Sequence, residues 1–226
     1  MESVLADQLP LFPLGTVLFP GMVLPLHIFE DRYKLMMVRR MDTDPMCGVV
    51  LTRSGREVGD QPEICATGTT ASLVTAVRYG DGRYDIAVRG GQRFEVFDEH
   101  WDHGYLTGTV KWIPEADSAD DLKEQQTQLF DLVSRAYNSY LDALRLMANA
   151  RIEPVELGSD PVRAAYAICS MMPFGVAQRQ HLLEAPTSVQ LLAELLVMLR
   201  RERGLLVATG VGGAAIDHPG AQFTTN

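Results

Sequence analysis

The sequence predicts an α+β fold, with the sheet in the first half of the chain and the helices in the second. Three observations carry this. Between Met46 and Ile113, apolar residues run in strand-length stretches or alternate with polar ones, and turns rich in Gly, Asp and Ser separate them. After Pro114 the apolar period lengthens to three and four, with helix start signals ahead of the runs. The two patterns follow one another without interleaving, which points to segregated layers and away from an alternating parallel sheet.

The opening stretch, Leu9 to Tyr33 (LPLFPLGTVLFPGMVLPLHIFEDRY), organises the first half. Leu9 to Leu14 contains Pro10 and Pro13. Proline has no N–H to give a ladder, so this run is expected at an edge or as an irregular ribbon. Gly15 and Pro20-Gly21 mark turns. Met22 to Phe29 contains Pro25 and is expected to be edge-like or bulged. Glu30 and Asp31 supply carboxylates to the first turn of a helix, where the dipole favours them. Asp31 to Met41 continues as a short helix with Arg39 and Arg40 near its end.

Met46 to Arg53 is a strand-length apolar run. Ile64 to Tyr79 is rich in Thr, Val and Ala, and from Leu73 it alternates, with Leu73, Thr75, Val77 and Tyr79 on one face. Asp81-Gly82 then predicts a type I′ hairpin turn. Tyr84, Ile86 and Val88 alternate on the return strand, Gly90-Gly91 suggests a bend or bulge, and Phe94 and Val96 resume the pattern. Tyr105 to Ile113 is the last strand.

In the second half, Ser118 and Asp121 form a capping-box-like start. Leu129, Val133, Ala136, Tyr140, Leu144 and Met147 define one face of a long helix. Asp160-Pro161 caps and opens a second helix that stops at Pro173. A third covers roughly Gly175 to Glu184. Thr187 and Gln190 cap the last, whose stripe is Val189, Leu192, Leu196 and Leu199. Gly204 to Asn226 is poor in core formers and is expected to be a flexible tail. The expected organisation is a β-rich unit over 1–115, a helical unit over 116–203 and a tail over 204–226.

The chain has 226 residues, enough for a sizeable core, and 46% hydrophobic and 22% charged content, ordinary for a soluble globular protein. A net charge of −9 argues against a general nucleic-acid binder. Cys47, Cys65 and Cys169 are far apart and form no C-x-x-C, which suits a reducing cytosol. The start, MESVLADQ, lacks a signal-peptide pattern, and no apolar run is long enough for a bilayer. A cytoplasmic protein without membrane partners is expected.

Several motifs resemble one family. The L-F-P-L of Leu11 to Leu14, the L-F-P-G-M of Leu18 to Met22 and the P-L-H-I-F-E-x-R-Y of Pro25 to Tyr33 are similar to the opening of the LON substrate-binding domain, the N-terminal domain of Lon proteases. Further matches are Met46 to Leu51, Cys65 to Thr69, the D-G-R-Y-D-I-x-V-R-G-x-x-R-F run of Asp81 to Phe94, and Gln180 to Glu184. The resemblance covers Leu9 to about Arg203. It implies an N-terminal PUA-like, partly open β-barrel with one short helix, followed by a bundle of about four helices. A full Lon protease is similar to this chain only at its front, so a stand-alone domain without the family's ATPase and protease modules is expected. No G-x-x-x-x-G-K-[ST] occurs, and none of Lys34, Lys111 and Lys123 sits in a Ser-x-Lys setting. Neither ATP hydrolysis nor peptide cleavage is carried over, and no cofactor is expected.

Other chemistry is weakly signalled. In Asp98-Glu99-His100-Trp101-Asp102-His103 the histidines are three apart, a ligand spacing on a helix. At a strand end and loop it does not converge, and the segment reads as a solvated acidic connector anchored by Trp101, not a metal site. His27 reads as a satisfied strand histidine, with no partner nucleophile. Cys169, beside Ala167 and Ile168, reads as a buried thiol. Gly210 to Gly213 precedes no helix or strand and is no dinucleotide fingerprint.

Two surfaces remain. In the loop Thr16 to Met22, large apolar residues stand beside turn residues. Leu18, Phe19 and Met22 form a candidate exposed patch for unfolded or extended polypeptide, with Glu30 and Arg32 as a polar rim. The competing reading folds Phe19 back to plug the open end of the barrel. Arg78, Arg83, Arg89 and Arg93 line the central hairpin as an alternative strip for anion or RNA, opposed by the overall acidity and by Asp85, Glu95 and Asp98. The leading functional expectation is a non-catalytic polypeptide- or protein-binding module, an adaptor or quality-control accessory. The alternative is a PUA-like module for RNA or a small molecule. An enzyme with an undetected site ranks last.

Overall fold

Pro10 and Pro13 do not put the first strand at an edge. In the computed structural model, which describes residues 5–40, 46–54, 62–101, 103–114, 120–148, 157–209 and 224–225, β1 (Leu5–Leu14) lies between β3 (Met46–Ser54) and β6 (Thr107–Trp112). Its two halves divide the pairing. Leu5, Ala6, Leu9 and Pro10 pair antiparallel with β6, and Leu11 to Leu14 pair parallel with β3. Each half is laddered on one side, so a missing N–H facing the other side removes no ladder bond. A register shift between Ala6 and Leu9, where Gln8 takes a φ of 59°, marks the handover.

The remaining strands are β2 (Val23–Ile28), β4 (Glu63–Arg78), β5 (Tyr84–His100) and the two-residue β7 (Thr224–Thr225), and α1 (Asp31–Arg40) follows β2. The order across the mixed sheet is β4-β3-β1-β6-β5-β2-β7, and β4 also pairs with β5. That extra pairing rolls the sheet: β1, β3, β4, β5 and β6 pair in succession, while β2 hangs from β5 with the two-residue β7 beyond it. This is the partly open barrel, and β2, with Pro25, lies one strand in from its end, not at the edge.

The hairpin between β4 and β5 differs from the expected type I′ turn. Gly82 N–H donates to the Tyr79 carbonyl, Tyr79 N–H donates to the Arg83 carbonyl, and only Gly82 has positive φ, at 87°. A three-residue loop of Gly80, Asp81 and Gly82 therefore replaces the two-residue one, with glycine at the left-handed position.

The core follows from the alternation. Leu24, Leu26 and Ile28 of β2 face Tyr84, Ile86 and Val88 of β5, and these join Phe12, Leu14, Tyr33 and Met36 in one buried cluster. A second cluster gathers Leu11, Val50, Phe94 and Val110. Phe94 fits because two neighbours lack side chains: a Cβ on Gly48 or Gly68 would lie 2.5 or 2.7 Å from its ring.

The chain divides into two compact units, Met1–Pro114 with Pro219–Asn226, and Glu115–His218. The second contains α2 (Asp120–Ala148), α3 (Pro161–Met171), α4 (Val176–Leu183) and α5 (Ser188–Thr209). Asp160 caps α3, its carboxylate accepting from the Val162 and Arg163 N–H groups, with Pro161 in the first turn. Thr187 Oγ1 accepts from Gln190 N–H at the start of α5. The α2 stripe differs from the expected one: Val133, Tyr137, Tyr140 and Leu141 are buried and Met147 is exposed. The tail expected from Gly204 starts too early, because α5 runs to Thr209 with Leu206 buried. The expected Ser118 cap and Gly210 to Gly213 lie outside the described residues.

Candidate functional site

The loop before β2 turns inward. Met22 N–H donates to the Phe19 carbonyl, and Gly21 has a φ of 80°, so Phe19-Pro20-Gly21-Met22 is a type II turn with proline and glycine at its central positions. The reversal sends Leu18 and Phe19 into the interior, at 1% and 0% exposure. Gly21 N–H donates to the Gly90 carbonyl and Gly90 N–H donates to the Met22 carbonyl, both at 2.8 Å, which latches the loop to β5 at the predicted double-glycine bend. The exposed loop patch is thus corrected at Leu18 and Phe19; of its three apolar members only Met22 keeps partial exposure.

The polar rim is corrected too. Arg32 Nη2 lies 3.0 Å from Glu30 Oε2, and the guanidinium sits 4.6 Å from the centroid of the Tyr33 ring. Both side chains are mostly covered, because the ion pair and the aromatic face hold them against the helix start.

The arginine strip does not form one surface. Arg93 is buried within the sheet, opposite Thr69 on β4. Arg78 lies over the Tyr84 ring, at 5.8 Å. Arg83 Nε donates to Asp81 Oδ2 at 2.7 Å. Arg83, whose guanidinium also lies 5.9 Å from the Tyr79 ring centroid, and Arg89 are exposed on the strand face discussed next.

That face is the outer side of β4, β5 and β2. Paired residues on neighbouring strands share a side. Val77, Asp85 and His27 form one such row; Thr75, Ala87 and Pro25 the next; Ser72, Arg89 and Val23 the third. The inner rows contain the buried Leu24, Leu26, Ile86 and Val88. A register shift between Leu73 and Thr75 adds Val74 as an extra residue, so Leu73 packs against the core while Thr75, Val77 and Tyr79 look outward. The expected one-faced alternation breaks there. Val23, Val77 and Tyr79 are 44%, 57% and 42% exposed.

One polar constellation is set in this face. His27 Nδ1 donates to Asp85 Oδ1 at 2.6 Å, and the Tyr79 hydroxyl donates to Asp85 Oδ2. The His27 bond, then the Tyr79 bond, hold the Asp85 carboxyl below the usual carboxylate range. The same bond raises the Tyr79 phenol. His27 is satisfied, as expected, and the trio braces three consecutive strands. Among the described residues, no group of three His, Cys, Asp or Glu side chains converges as metal ligands. His100 Nε2 lies 3.6 Å from Asp98 Oδ2, and Trp101 packs on the second core cluster. No described helix is long and apolar enough to cross a membrane.

The architecture is a rolled β unit followed, among the described residues, by four helices, and the outer sheet face sets the exposed Val23, Val77 and Tyr79 beside the polar trio. Residues 8–201 match the model of the ATP-dependent protease La (LON) substrate-binding domain, and the chain belongs to that family. It is 26% identical over 208 residues to the Lon protease of Escherichia coli K12, covering 88% of this chain and 25% of that protein. It is 24% identical over 193 residues to Lon protease 1 of Hydrogenovibrio crunogenus, covering 84% and 23%. The chain therefore spans about a quarter of the length of these relatives. Two solved structures share the fold. The Lon N-terminal domain protein from Xanthomonas campestris aligns at a TM-score of 0.56 and 24% identity, over 85% of this chain and 98% of that one. The N-terminal domain of the Mycobacterium avium complex Lon protease aligns at 0.59 and 18%, over 87% and 99%.

Proposed function

We propose that this chain is a non-catalytic module that binds extended polypeptide segments, acting as an adaptor or accessory in protein quality control. The observation that carries the reading is the match of residues 8–201 to a substrate-binding domain. The outer face of β4, β5 and β2 supports it with chemistry. Val23, Val77 and Tyr79 offer apolar contact, and an aromatic phenol beside small and aliphatic neighbours accepts varied side chains. The relatives are named as proteases, so a peptide chain is the natural ligand class for the part they share.

The test is a titration of a fluorescently labelled, reduced and carboxymethylated polypeptide, followed by anisotropy. The wild type binds, and Val77→Asp with Val23→Asp weakens binding by about tenfold or more, as expected for residues at the centre of a contact. Binding that changes little with salt fits apolar recognition. Absence of binding to the unfolded chain at any accessible concentration overturns the reading. Capture of RNA that collapses as salt rises would replace it with the nucleic-acid alternative.

A further inference from the structure

The second half of α5 carries charge that its own helix does not balance. Arg200, Arg201 and Arg203 are all exposed. Three other helical cations, Lys34, Arg145 and Arg163, each pair with an aspartate three residues ahead. In α5 no carboxylate stands three or four residues from any of the arginines; Val197, Gly204, Leu205 and Val207 are among the residues that do. Glu202, which stands between them in sequence, is turned inward and buried. Among the described residues, none forms an ion pair with the three guanidinium groups. Arg200 and Arg203 are themselves helical neighbours of like sign, an unfavourable pair. The helix dipole does not account for them: it acts within the last turn, and α5 has no basic residue there. Apolar side chains share this exposed side, with Val197, Leu205 and Val207 at 65%, 41% and 51% exposure. Arg200, Gly204 and Ala208 follow at steps of four, one line along it, and a Cβ on Gly204 would meet open space.

We propose that the exposed side of α5 from Val197 to Ala208 docks an acidic amphipathic helix of a partner protein. Three cations without a matching anion set the sign of the partner's charge, and their mutual repulsion is relieved when carboxylates approach. Val197, Leu205 and Val207 set the rest of its chemistry: the partner brings apolar side chains between its acids. Gly204 and Ala208 form a low floor that lets a helix backbone come close, while side chains at three-and-four spacing reach to either side. A nucleic-acid backbone would use the arginines and gain nothing from the aliphatic groups. The net charge of −9 also opposes a long polyanion or an anionic bilayer far more than it opposes a short acidic helix. Docking here does not depend on polypeptide binding at the sheet face, so either can fail alone.

Fluorescence anisotropy with the full 226-residue chain tests this. The probe is a labelled synthetic helical peptide with Glu and Leu at three-and-four spacing, and the control peptide has Lys at every Glu. The acidic peptide binds and the Lys peptide does not. Arg200→Glu/Arg203→Glu weakens the acidic peptide by about tenfold or more and shifts preference toward the Lys peptide. Gly204→Leu favours the helix and projects into open space, so the fold stands, yet it fills the floor and weakens the acidic peptide. Arg163→Glu, at an exposed position of α3, binds as the wild type does. Equal binding of the two peptides overturns the inference, and so does acidic binding that survives both α5 variants. Absence of acidic-peptide binding overturns it too; single-stranded RNA or phosphatidylserine vesicles retained through the same arginines would then assign the surface to a polyanion.

Discussion

The Phe19 carbonyl oxygen occupies the space in which a side chain on Gly90 would start, 2.1 Å from the position of its first carbon. Two hydrogen bonds across this contact latch the inward-turned loop to β5. Gly90→Ala is predicted to force loop and strand apart and to cost about 2 kcal/mol or more. Gly80→Ala faces open space without positive φ and is predicted to change stability by less than about 0.5 kcal/mol. Urea denaturation midpoints of the two variants check the contrast.

The buried state of Phe19 separates plug from patch. Phe19→Ala is predicted to destabilise by about 3–5 kcal/mol, the cost of emptying a core aromatic site. Met22→Ala, at a partly exposed position, is predicted to cost under about 1 kcal/mol. Equal, small effects on stability would mean that Phe19 is not a core residue.

Asp85 links His27 and Tyr79, and its depressed carboxyl pKa has a sign. The folded state favours the carboxylate, so its contribution is present above the ordinary carboxylate range and is lost as pH falls through the folded value. His27, Tyr79 and Arg83 are the groups acting on it. The stability gap between wild type and Asp85→Asn is predicted to hold at neutral pH and to shrink below about pH 4. Denaturation series at several pH values measure it.

Burial holds the Cys169 thiol far above the usual thiol range, with no exposed surface. Cys47 is half-buried. Alkylation with iodoacetamide at pH 8 is predicted to label Cys47 first and Cys169 only after unfolding, as mass spectrometry of peptides would show.

Much of the fold was legible because it rests on local signals. Asp160-Pro161 announces α3, Thr187 and Gln190 announce α5, and Tyr84, Ile86 and Val88 mark an inner face. The misses share a cause: they depend on what lies across space. Pro10 and Pro13 reside inside the sheet because β1 changes partners midway. The periodicity of Thr75, Val77 and Tyr79 says that they share a side, and only the register with Asp85 and His27 says that it is the outer one. The inward turn of Leu18 and Phe19 requires Gly90, distant in sequence. Arg93 leaves the arginine strip for the interior for the same reason.

The most direct test maps where an unfolded polypeptide touches the protein. In an amide chemical-shift titration with the carboxymethylated chain, shifts are predicted to concentrate at residues 23–29, 72–79 and 83–89, the outer rows of β2, β4 and β5. Shifts confined to residues 120–209, or none at saturating ligand, would contradict it.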